Sequence, residues 1–69
     1  MDKGHNYEIC IEGHITPQWS EWFDGMVISH ETKGKTVLEG LIVDQAALLG
    51  VLSKIHSLNL TILYVIRKQ

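Results

Sequence analysis

Apolar side chains recur along the chain with two different periods, and the changes between them mark out its elements. Over residues 7–14, Tyr7, Ile9 and Ile11 alternate with Glu8, Cys10, Glu12 and His14. A period of two predicts a strand with one buried face. Thr16-Pro17 then opens a different pattern, with threonine as an N-cap and proline at the first helical position, where its missing N–H costs nothing. Trp19, Trp22 and Phe23 follow at i, i+3 and i+4, which predicts a short aromatic-faced helix with Gly25 at its C-terminal turn. About seven residues is too short for a helix to hold on its own, so packing of the aromatic face has to support it. Residues 26–31 (MVISHE) and 35–42 (KTVLEGLI) flank Thr32-Lys33-Gly34. That arrangement predicts a β-hairpin, with Gly34 supplying a positive φ in a three-residue loop. Gly40, inside the second strand of the hairpin, predicts a bulge or a close backbone approach.

The strongest helical signal covers residues 43–58. Leu48, Val51, Leu52 and Ile55 fall at i, i+3, i+4 and i+7, and Leu58 extends the stripe. Asp44 is placed as N-cap, Val43 and Leu48 as a hydrophobic staple, and Asn59 as the left-handed residue that stops the helix. Leu49 and His56 lie off the stripe. Gly50 costs about 1 kcal/mol relative to alanine inside a helix and reads as a site of close packing. In residues 61–67 (TILYVIR), Ile62, Tyr64 and Ile66 face one side of a strand and Leu63 and Val65 the other, so both faces are apolar. Residues 1–6 are polar and are expected to fray.

The succession strand, short helix, strand, strand, long helix, strand is the ferredoxin-like β-α-β-β-α-β plan of the α+β class. Right-handed crossovers place both helices on one face of a four-stranded antiparallel sheet with spatial order 4-1-3-2. The alternative is that PQWSEWF is only a structured loop and one helix covers the sheet.

Composition narrows the function. With 69 residues the chain is a single domain. A chain of that size buries only about 60% of the surface its unfolded form exposes, so its core is thin and association is a common remedy. One cysteine excludes an intramolecular disulfide. Met1-Asp2-Lys3-Gly4-His5 has no apolar run behind it and no apolar stretch approaches 18 residues, so neither a signal peptide nor a membrane span is expected and the expected location is the cytoplasm. A net charge of −2 argues against nucleic acid, whose binders carry a basic footprint. Arg67 and Lys68 form a small basic end that reads as solvated.

Cys10, His14, His30 and His56 raise the question of metal binding, but their spacing fits no compact zinc pattern. Cys10, Glu12 and His14 would share one strand face, which reads as a polar or half-buried sheet surface. A Cys10 nucleophile paired with His14 or His30 would need a depressed pKa and an oxyanion hole, and the sequence offers neither. Neither a cofactor nor enzymatic activity is expected. The aromatic trio reads first as the missing bulk of a thin core, with at least one tryptophan partly exposed.

Two blocks, PQWSEWFDG at 17–25 and VDQAALLGVLSKIHSLNL at 43–60, together resemble a set of short prokaryotic proteins of unknown function. In those, a WSEWFDG block precedes a hairpin, a VDQAAL helix and a closing strand. The resemblance spans nearly the whole chain and implies no catalytic residue. In plan and length the chain is also similar to ACT-like regulatory domains, a likeness of fold. That likeness implies a small ligand at a subunit interface near Gly13, with Cys10, Glu12 and His14 close by.

The closing strand carries the leading expectation. In the 4-1-3-2 order it is an edge, yet it is apolar on both faces and has no central charge or proline, the devices that normally guard an edge. The expectation is a self-associating interaction or regulatory module, a homodimer formed through the sheet face or the last strand. Trp19, Trp22, Ile62, Tyr64 and Ile66 are its candidate interface residues.

Overall fold

The computed structural model describes residues 4–31 and 33–68. Residues 1–3, half of the segment expected to fray, lie outside the described residues, as does Thr32 of the hairpin loop. His5 and Asn6 do not fray. They begin the first strand, β1 (His5–Glu12), where His5 pairs with Ile42, and Asn6 with Leu41 and Lys68. Their polarity hid them from a hydrophobic pattern, whereas the ladder extends wherever partner strands continue. At the other end β1 stops two residues sooner than expected. Gly13 turns the chain with φ 124°, so His14 leaves the strand and does not share a face with Glu12.

β1 is followed by a single 3-10 turn at Pro17–Ser20, the hairpin strands β2 (Val27–His30) and β3 (Lys35–Ile42), the helix α1 (Gln45–Ser57) and the strand β4 (Thr61–Lys68). The sheet order is β2-β3-β1-β4, which read from β4 is the expected 4-1-3-2, and every pairing is antiparallel. The class is therefore α+β, a four-stranded antiparallel sheet with one α-helix. The ferredoxin-like succession is not present in full, because the expected first α-helix is only the 3-10 turn and the turns after it. Asp24 and Gly25 both take positive φ, 58° and 80°, and close the segment before a regular α-helix can form.

α1 follows its local signals closely. The Asp44 carboxylate accepts the Ala47 N–H at 2.8 Å as N-cap. At the far end Asn59 takes φ 62°, the Asn59 N–H donates to the His56 carbonyl at 2.9 Å, and the Leu60 N–H donates to the Ile55 carbonyl at 3.3 Å. That pair of bonds is a Schellman motif, and it closes the last carbonyls of the helix. Val51 and Ile55 are buried, Leu48, Leu52 and Leu58 pack against the same core, and Leu49 and His56 face solvent off the stripe. Their core partners are Ile9 and Ile11 from β1, Leu38 and Ile42 from β3, Ile28 from β2, and Phe23 and Met26 from the segment after the 3-10 turn. All of this lies on one side of the sheet.

The two glycines flagged within elements behave differently. A Cβ on Gly40 would lie 3.3 Å from the Cα of Met26, so the close approach expected there is real. A Cβ on Gly50 would meet nothing within 4 Å, which overturns the close-packing reading. Gly50→Ala is therefore expected to stabilise the domain by about 0.5–1 kcal/mol. In a thermal melt that is a rise of about 4–8 °C per kcal/mol for a domain this small. A fall in melting temperature would mean that the glycine serves a contact absent from the isolated chain.

Candidate functional surfaces on the sheet

Register fixes which side chains share the face that α1 does not cover. Residues directly opposite in an antiparallel pair point to the same side. Ile9 and Ile11 lie in the core, so Glu8, Cys10 and Glu12 lie on the open face. With them stand Lys35, Val37, Glu39 and Leu41 of β3 and Val27 and Ser29 of β2. On β4, Tyr64 pairs with Cys10, Ile66 with Glu8 and Lys68 with Asn6, so these three join the open face. The register then slips between Cys10 and Ile11, leaving Leu63 as an extra residue and setting Ile62 opposite Ile11. Ile62 therefore belongs to the helix-covered side with Val65, not beside Tyr64 and Ile66 as plain alternation predicts. A bulge changes parity, and nothing in TILYVIR announces one.

The open face carries a polar cluster beside its Cys10–Val37 centre. The Tyr64 hydroxyl donates to Glu8 Oε2 at 2.6 Å, and Lys68 Nζ lies 3.1 Å from Glu8 Oε1 and 3.1 Å from Glu39 Oε2. Lys68 thus reaches from the edge strand across β1 to β3 and ties three strands together. The hydrogen bond from Tyr64, then that from Lys68, holds the Glu8 carboxyl below its ordinary value of 4.5. The same carboxylate pushes the Tyr64 hydroxyl up to about 12. Its hydrogen bond, then that of Glu39, raises the Lys68 ammonium. Lys68 is thus exposed, as expected of the basic end, and is ion-paired to both glutamates as well. Glu8 and Glu39 stand directly opposite each other, a like-charge pair that is unfavourable without a cation between them.

This network gives a definite pH dependence. Glu8 has a lower pKa folded than unfolded, so its contribution is complete above 4.5 and is lost as pH falls through the lowered folded value. Lys68 and Tyr64 act in the opposite sense, contributing below their ordinary values and losing that contribution as pH rises through the raised ones. Glu8→Gln is expected to lower the melting temperature at pH 7 and to converge with the unsubstituted protein as the pH drops towards 3. Parallel curves at the two pH values would mean the network does not hold the strand. The groups are solvent-accessible, so the difference is small and shrinks in salt.

Cys10, at the middle of the same face between Val37 and Tyr64, is free and only 3% exposed. Its expected surroundings were polar or half-buried; they are closed. Glu12 is exposed at the end of β1. Gly13 has both backbone groups engaged: its N–H donates to the Gly34 carbonyl at 2.8 Å, and its carbonyl accepts from the Thr36 hydroxyl at 2.7 Å. His14 stacks on His30 with centroids 3.9 Å apart, and His30 Nε2 donates to the Ile15 carbonyl at 2.6 Å. The four residues placed near a ligand by the ACT-like likeness are thus divided between a buried sheet position, a strand end, a bonded turn and a ring stack. Among the described residues no three His, Cys, Asp or Glu side chains are placed to hold a metal ion.

The aromatic trio divides as well. Phe23 is fully buried, whereas Trp19 is 37% and Trp22 46% exposed, their rings set edge to face at 6.2 Å. Lys54 of α1 fixes Trp22 from the helix side, donating to its carbonyl at 2.9 Å, with the ammonium 5.5 Å from the ring centroid and 3.7 Å from Asp24. At the end of the sheet where β1 begins, a cavity of about 190 Å³ is lined by Met26, Leu41, Ile42, Val43, Ala47 and Val51, with Asp24 among them. Ligand sites usually measure about 300–1,000 Å³, so this space suits one side chain better than a metabolite. It also lies at the opposite end of β1 from Gly13.

β4 is exposed along its whole length, including Ile62, Leu63, Tyr64, Val65 and Ile66. Among the described residues no strand pairs with its outer edge. No helix among them is long and apolar enough to cross a membrane. No curated protein and no solved structure matches the chain. A family model does match, over residues 6–66, and the chain therefore belongs to the family described as a domain of unknown function, DUF8691.

Proposed function

We propose that this domain is a small self-associating interaction or regulatory module, and that its sheet is the element that associates. One observation carries the reading. β4 is an eight-residue edge strand with every residue exposed, five consecutive large apolar side chains on its two faces, and no charge or proline before Arg67. Soluble monomers blunt such an edge with charges, prolines or brevity, because a free row of backbone donors and acceptors recruits another strand. A homodimer at this edge removes apolar surface that one small core cannot cover. A standard interface of about 800 Å² per partner is the scale to expect.

Sedimentation velocity at micromolar concentrations tests the reading. The expected species has twice the 7.8 kDa mass of the chain. Val65→Lys, at an exposed edge position, is expected to raise the dissociation constant at least tenfold while leaving the circular dichroism spectrum unchanged. A single 7.8 kDa species up to 100 μM would overturn the proposal.

A further inference from the structure

From the geometry we infer that two copies join edge to edge, β4 against antiparallel β4, about a two-fold axis at Ile66 and normal to the sheet. This rests on the self-association reading and adds to it the mode, the register and the surface left free. The product is one continuous eight-stranded sheet with both α1 helices on the same side and both open faces uncovered on the other.

Three observations select this mode over stacking of the open faces. First, the open face carries Glu8, Glu39 and Lys68, a cluster with a net charge of −1 whose members already bond one another. Stacking two open faces would take both clusters out of water and set like net charges against each other, with no new partner for either. Second, the bulge at Leu63 limits where β4 can pair with itself. Paired strands need side chains of matching direction at opposite positions. Residues 64–68 alternate without interruption, and centring on Ile66 sets Tyr64 opposite Lys68 and Val65 opposite Arg67. Each pair then points to one side of the sheet. Centring the pair on Leu63 instead would set inward side chains against outward ones.

Third, the placement of Lys68 favours this register, with the two Arg67 side chains two positions apart on the other side of the sheet. Lys68 of each copy comes opposite Tyr64 of the other, whose hydroxyl is bonded to Glu8. Each ammonium thus gains a second acidic neighbourhood. The two Lys68 backbones stand four residues apart along the strand, about 14 Å, beyond the screening length at physiological salt. Arg67 lays its aliphatic stem over Val65 of the other copy on the helix side.

Cysteine cross-linking tests the register. Ile66→Cys in a Cys10→Ala background puts two thiols at the axis, where opposed antiparallel residues have Cα atoms about 4.5–5.5 Å apart, a span a disulfide accepts. Mild oxidation is expected to convert most of the protein to a covalent dimer, whereas Val27→Arg and Leu41→Arg, both on the open face, leave the dissociation constant within about threefold. Circular dichroism of each variant checks folding. A dimer that fails to cross-link through position 66 overturns the edge geometry but leaves self-association standing. Loss of the dimer with Leu41→Arg or Val27→Arg assigns the interface to the open face and overturns the geometry in the same way. An unsubstituted protein that stays monomeric overturns both.

Discussion

Phe23→Ala is expected to destabilise the domain by about 3–5 kcal/mol, whereas Trp19→Ala and Trp22→Ala each cost about 1 kcal/mol or less. The contrast follows from position rather than ring size. Phe23 is completely buried in the cluster that joins Val51 and Ile55 of α1 to Ile9, Ile11 and Leu38 of the sheet. Removing its ring leaves a void that the surrounding strands cannot fill by collapse. Trp22 loses mainly its contact with Lys54, and Trp19 its edge-to-face partner. Domains have a stability of about 0.05–0.15 kcal/mol per residue, which for this chain is about 3–10 kcal/mol in all. Phe23→Ala therefore brings the domain to the margin of folding. Urea titrations of the three variants decide the point, and a tryptophan variant costing more than Phe23→Ala would return the indoles to the core.

The aromatic trio also shows what a sequence pattern can and cannot carry. Spacing of i, i+3 and i+4 places three rings on one face only if the backbone makes an α-helix. Pro17 starts a helical turn, but the Phe23 N–H is shared between the carbonyls of Trp19 and Ser20, and the Gly25 N–H returns to the Ser20 carbonyl. With Asp24 and Gly25 at positive φ, the segment turns back on itself and inserts Phe23 alone. Signals of α1, in contrast, are local to the helix: the Asp44 cap, the apolar stripe and the Asn59 stop each act within a few residues. They are legible for that reason. The order of the sheet is legible too, since it follows from connection lengths and handedness.

What escaped the sequence depends on register. Glu8, Glu39 and Lys68 lie far apart along the chain and meet only because β1 pairs with both β3 and β4. The Leu63 bulge likewise changes which side Ile62 faces without altering one residue of the alternation. An edge strand apolar on both sides was nevertheless visible, because exposure at an edge follows from strand order alone.

Gly13→Val is expected to cost about 2–4 kcal/mol, and Gly13→Ala about 1–3 kcal/mol, with no ligand involved. Gly13 sits at φ 124°, where L side chains rarely go, and a Cβ there would lie 3.0 Å from the Leu60 Cδ2. The leucine methyl can yield to alanine, so backbone strain dominates that variant; the branched valine adds crowding. The residue joins three parts of the fold through its N–H to Gly34, its carbonyl to Thr36, and its contact with the chain that leaves α1. Thr36 is fully buried. Thr36→Val keeps the shape but leaves the Gly13 carbonyl without its donor, at a cost of about 1–3 kcal/mol. Because Gly13→Ala and Thr36→Val loosen one knot, their double variant is expected to lose less than the two single losses combined. Denaturant melts of these two variants and the double variant measure this directly. Full additivity would mean that the hydrogen bond does not couple them, and an unchanged stability for Gly13→Ala would free the turn for the ligand-binding role that the ACT-like likeness implies. The bonded, crowded turn points the other way: Gly13 is there to let the chain leave β1 beneath Leu60.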